Sequence, residues 1–109
     1  MAKKRVQREQ VTDSRLRDYE LVLIVNPELA DEALESRLQN VNQFIAGREG
    51  VVGEVEKWGK RKLAYPIEHN LEGNYVLTRF KISPARCKEL EANLKISEEI
   101  LRHLLVRLD

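Results

Sequence analysis

The sequence predicts an α+β domain in a split β-α-β-β-α-β arrangement, a four-stranded antiparallel sheet with two helices on one face. Two observations carry that expectation. The spacing of apolar residues switches from strand-like runs to helical period and back, and does so twice. Turn and cap signals, Asn26-Pro27, Gly47 with Gly50, and Ser83-Pro84, fall at the switches. Connections of this order leave the second face of the sheet open.

The first strand is Tyr19–Val25, "YELVLIV", apolar on nearly every position as a central strand requires, and stopped at Asn26-Pro27. From Glu28 to Ala46, Ala30, Leu34, Leu38, Val41 and Ile45 make one helical stripe. Glu28, Asp31, Glu32 and Glu35 crowd its first turns, where the helix dipole favours negative charge, and Gly47 and Gly50 end it. Val51–Tyr65 reads as a long strand with a bulge at Gly59, which leaves the facing of Trp58 open. Pro66–Leu71 reads as a loop. In the third strand, Gly73–Ile82, Val76, Thr78, Phe80 and Ile82 share one face and Tyr75, Leu77, Arg79 and Lys81 the other. Ser83 caps a second helix with Pro84 at its first position, and Cys87, Leu90 and Leu94 form its buried stripe. Ile100–Leu108 is the last strand. Residues 1–16 are basic and aperiodic, a flexible arm ahead of a single domain spanning 17–109.

Composition narrows the function. With 109 residues, 42% hydrophobic and 34% charged, the chain is ordinary for one soluble domain with a real core. No apolar run approaches the roughly 20 residues of a membrane-spanning helix, and the N-terminus lacks the apolar region of a secretory signal. A single cysteine fits a reducing cytoplasm. The net charge of +1 hides an uneven distribution. Residues 1–18 carry six cations against three anions, 27–50 two against five, and 51–65 four against two. Local field steers a polyanion more than net charge does, and a neighbour could supply further positive charge.

Catalysis and cofactors have little support. His69 and His103 have no Cys or His at ligand spacing, and the phosphate-cradling glycine motifs are absent. Cys87 lies on a buried stripe, where a small apolar role is usual, and nothing pairs a nucleophile with a base. The expectation is a protein that is not an enzyme, with no cofactor, metal, membrane or small-molecule substrate. What stands out is "WGKRKLAYPI", Trp58–Ile67, where Lys60, Arg61 and Lys62 follow a tryptophan. Taken alone, such cations are often a solvated hairpin and such a tryptophan core packing. Their coincidence with Tyr75, Arg79 and Lys81 on the neighbouring strand points instead to nucleic acid, because rings stack on bases and cations meet phosphates. The signature of an RNA recognition motif fits poorly, with Glu72 in the cation's place and Asn74 in an aromatic's.

From Arg17 to Leu108 the chain resembles bacterial small-subunit ribosomal protein six. The resemblance is carried by "RDYELVLIVNPEL", "WGKRKLAYPIEHNLEGNYVLTRF" and "LEANLKISEEILRHLLVRLD", and most distinctively by "GKRKLAYPI". It implies a ferredoxin-like fold and no enzymatic activity. It also implies a place in the cytoplasmic ribosome, bound to the central (platform) domain of small-subunit ribosomal RNA as a heterodimer with ribosomal protein eighteen. The family's RNA-contacting positions match Arg17, the run Lys60, Arg61 and Lys62, and Arg102. Sheet geometry adds Tyr75 and Arg79. Trp58, Leu63 and Tyr65 are expected to support the hairpin or the partner contact. About a dozen residues precede the family's usual start, and Lys3, Lys4, Arg5 and Arg8 among them are expected to reach RNA. The alternatives are a stand-alone single-stranded RNA binder, or a ferredoxin-like ligand or dimerisation module. Three cations in one hairpin argue against symmetric dimers, where like charges would face each other.

Overall fold

The structure, a computed structural model, describes residues 15–109. Most of the basic arm expected over 1–16, with Lys3, Lys4, Arg5 and Arg8, therefore lies outside the described residues. In chain order the elements are β1 (Arg17–Val25), α1 (Asp31–Gly47), β2 (Val51–Ile67), β3 (Asn70–Ile82), a 3-10 turn (Pro84–Arg86), α2 (Cys87–Lys95) and β4 (Ile100–Arg107). The four strands form one antiparallel sheet in the order β2-β3-β1-β4, the expected ferredoxin-like α+β topology.

β1 lies between β3 and β4, and its run Leu21–Val25 is apolar on both faces. Tyr19, Leu21, Leu23 and Val25 point to the helices and are buried, joined by Val76, Phe80 and Ile82 of β3. Leu34, Leu38, Val41 and Ile45 of α1 and Leu90 and Leu94 of α2 close the core from above. Ala30 is the N-cap of α1 rather than part of its stripe, and its side chain makes no cap bond. The chain enters α1 through Asn26, whose side-chain oxygen accepts from the Glu28 amide at 2.9 Å.

Three expectations need correction. The stop after α1 does not depend on Gly47: the left-handed residue there is Glu49 (φ 66°), and the glycine that space demands is Gly50. A Cβ at Gly50 would sit 2.6 Å from Ile45 Cγ2 and 2.7 Å from the Lys81 carbonyl oxygen. The loop expected over Pro66–Leu71 is only a two-residue turn. Glu68 (φ 49°) and His69 (φ 70°) both adopt positive φ, the requirement of the tight hairpin turn whose twist matches the strands. β2 and β3 therefore run on to Ile67 and back from Asn70. The second helix starts late: Ser83 accepts from the Ala85 amide at 3.3 Å, but the Pro84–Arg86 turn precedes the α-helix.

The bulge expected at Gly59 is present, with φ of 84° and a register shift between Lys57 and Gly59. At a rise of ~3.3 Å per residue, the 17 residues of β2 span at most roughly 53 Å, comparable to the 52 Å long axis of the molecule.

Candidate functional site

The side of the sheet away from the helices divides into three zones, fixed by cross-strand register. At the end where β1 begins, charges neutralise each other. Asp18 lies 3.8 Å from Lys81, and Arg79 is held between Glu20 at 3.0 Å and Glu54 at 2.9 Å. Those hydrogen bonds, to Glu20 first and then to Glu54, push the Arg79 pKa above its ordinary value. The sequence expectation that Arg79 faces outward is correct. Its charge, however, is already matched by two carboxylates.

The middle zone is apolar. Pairing sets Val22 beside Leu77 and Leu104, and Ile24 beside Tyr75 and Arg102. Leu63, Tyr65 and Ile67 of the hairpin join Val22, Ile24, Tyr75 and Leu104 in lining a groove of about 380 Å³, with Arg102 and His103 also in its wall. Gly73 makes the approach possible, since a Cβ there would fall 2.3 Å from Ile24 Cγ2 and 3.4 Å from Leu63 Cδ2. Leu104 is 60% exposed and Tyr65 71%, large apolar groups facing solvent in the free chain. Leu63 and Tyr65 were expected at a partner surface. Val22, Ile24 and Leu104 were not singled out, although the apolar outward positions of β1 were the available signal.

The third zone surrounds the bulge. Trp58 lies on the open side, its ring nearly parallel to Tyr75 (10°, centroids 6.3 Å apart). Its indole N–H donates to Glu56 Oε1 at 3.1 Å, and the Arg61 guanidinium lies 5.5 Å from the ring centroid. Gly59 sets this geometry by changing the in–out parity after Trp58. Arg61, in register with Gly73, shares the open side with Tyr75. Lys60 and Lys62 pair with Asn74 and Glu72 and alternate to the other side. The cationic run is thus not one patch. Its three members form no ion pair within the described residues, whereas Lys57 is bound to Glu35 of α1.

The structure therefore groups Arg61, Trp58, Tyr75 and Arg102 across one transverse band of the sheet and separates the rest. Arg17 pairs with Ile82 on the helix side, at the far end of β1 from Arg102. Tyr19 is a core residue: it is buried, and its ring stacks on Phe80 at 5.8 Å. Burial, then a hydrogen bond to the Cys87 thiol, push its pKa up to about 12. Burial likewise raises the Cys87 thiol, opposite to what a nucleophile needs. Among the described residues no group of three or more His, Cys, Asp or Glu could hold a metal, and no helix is long and apolar enough to cross a membrane.

These features define a class: a ferredoxin-like domain with one open sheet face and a long hairpin. A family model described as "Ribosomal protein S6" matches residues 18–107. The chain is 42% identical over 94 residues to small ribosomal subunit protein bS6 of Dehalococcoides mccartyi, covering 86% of each. It is 43% identical over 91 residues to the protein of that name from Clostridioides difficile, covering 84% of this chain and 98% of the relative. The crystal structure of 30S ribosomal protein S6 from Thermotoga maritima superposes with a TM-score of 0.81 at 32% identity, covering 86% of this chain and 89% of that one. The chain belongs to the ribosomal protein S6 family, whose members are structural ribosomal proteins and not enzymes.

Proposed function

We propose that the chain is a structural constituent of the small ribosomal subunit in the cytoplasm, binding the central (platform) domain of small-subunit ribosomal RNA together with ribosomal protein eighteen. The observation that carries this reading is the adjacency, on one sheet face, of a solvent-exposed apolar groove and Arg61, which, like Lys60 and Lys62 on the other side of the hairpin, forms no ion pair among the described residues. An apolar groove wants a protein surface, while unpaired cations want phosphates. The groove residues Leu63 and Tyr65, with Ile24 and Leu104, take the partner. Arg61, Lys60 and Lys62 take RNA from the two sides of the hairpin, and Arg102 lies where both could be reached. Arg17 and residues 1–14 would contact RNA separately, and Arg79 contributes least because its charge is matched internally. A stand-alone single-strand binder has less support, since β3 lacks the signature for it. A symmetric dimer would bring Arg61 of each copy toward the shared face.

Two single substitutions separate the surfaces. Arg61→Ala is expected to weaken RNA association and reduce the salt slope by about one phosphate contact. Leu104→Asp is expected to weaken association with protein eighteen. Both side chains are solvated, so each free variant should stay within about 0.5 kcal/mol of the parent in stability. Unchanged RNA affinity for Arg61→Ala, or a large fall in its melting temperature, would contradict the assignment.

A further inference from the structure

We propose that the outer face of Trp58 is a stacking site for one unpaired RNA base, with the phosphate of that nucleotide on Arg61. The inference rests on the RNA-binding reading above and moves Trp58 from the partner surface, where the sequence puts it, to the RNA surface. The indole is 41% exposed and its plane is backed by the nearly parallel Tyr75 ring, while the Arg61 guanidinium lies over the ring, 5.5 Å from its centroid, and turns to the phosphate as the base stacks. Glu56 fixes the ring's orientation through the indole N–H, which costs the stacking face nothing. Arg61 and Glu56 also give the site a direction. Phosphate is favoured near the guanidinium and repelled near the carboxylate, which leaves the base lying over the ring.

A protein contact explains these features less well. Trp58 does not line the apolar groove, and Tyr75 stands between the groove and the indole. The cation over its ring, Arg61, makes no ion pair among the described residues. A nucleotide uses a ring and an unpaired cation together. An apolar protein surface would have to desolvate that cation without recompense.

Trp58 is the chain's one tryptophan, so its emission reports on this site alone. The test uses the full chain with protein eighteen and a central-domain ribosomal RNA fragment, following emission and affinity together. RNA is expected to quench Trp58. Trp58→Ala should lose roughly ten- to a hundredfold in RNA affinity with its salt slope unchanged, because stacking releases no counterions. Trp58→Phe should retain most of the affinity. Trp58→Ala should still bind protein eighteen normally. RNA binding without quenching, together with unchanged affinity of Trp58→Ala, would overturn the stacking site and leave the ribosomal reading intact. Loss of partner binding instead of RNA binding would return Trp58 to the protein interface. Absence of RNA binding by the parent pair would remove both readings.

Discussion

Tyr19 and Cys87 meet on the helix side of the sheet, joining the first strand to the first turn of α2. Burial disfavours the phenolate, and the Tyr19 pKa is raised from 10.0 to about 12. A raised acid pKa means that the folded state holds its proton longer than the unfolded one. The stability this group contributes is therefore complete below pH 10 and is lost as pH rises through about 12. In a Tyr65→Phe/Tyr75→Phe background, phenolate absorbance should show a titration near 12, and melting temperature should fall across that window in step with it. Titration near 10 in the folded chain would contradict the buried hydrogen-bonded geometry. Arg79 and Arg61 illustrate what was legible at this scale. Period-two alternation in "GNYVLTRFKI" correctly sent Arg79 outward. Its neutralisation depends on Glu20 and Glu54 coming into register, and strand pairing is not written in the composition of any one segment. Lys60 and Lys62 part from Arg61 by period-two alternation alone, and the bulge at Gly59 decides only which side each takes.

At the level of elements, the junction between α1 and β2 separates two glycines that look equivalent in sequence. Gly47, the last residue of α1, has nothing within 4 Å of a built Cβ, while Gly50 is pressed against Ile45 and the Lys81 backbone. Gly50→Ala should cost about 1–3 kcal/mol or more, because a carbonyl of β3 cannot step aside as a side-chain tip can. Gly47→Ala should be neutral or stabilising by up to about 1 kcal/mol, from reduced unfolded-state entropy. Chemical denaturation of the pair checks both, and equal effects would contradict the close approach. The hairpin shows the opposite limit of sequence reading. Strand existence was evident from β-branched and aromatic content, but Glu68 and His69 are not the residues that advertise a tight turn. A two-residue connection was therefore read as a loop. The helices were more legible because their stripes are long and regular, with errors confined to their ends.

On the scale of the whole molecule, a net charge of +1 coexists with three hairpin cations, Lys60, Arg61 and Lys62, that form no ion pair among the described residues, while most of the other described cations are matched within the fold. Glu89, for example, sits between Arg86 at 3.0 Å and Arg48 at 3.3 Å, and the Arg86 hydrogen bond leads in lowering its pKa. Fold class and family were readable from the chain because topology follows period changes, and because "GKRKLAYPI" is a distinctive block. The apolar groove was not, since it is assembled from β1, β4 and the hairpin and exists only once they are in register. On the function proposed above, this one face serves RNA and a protein neighbour together. The direct test is a titration of a central-domain fragment of small-subunit ribosomal RNA with the full chain, with and without ribosomal protein eighteen. Binding should appear or tighten strongly with protein eighteen. With six phosphates engaged, it should weaken by up to roughly a thousandfold between about 50 and 200 mM salt. Tight binding by the chain alone, indifferent to protein eighteen and preferring an unstructured strand, would contradict it.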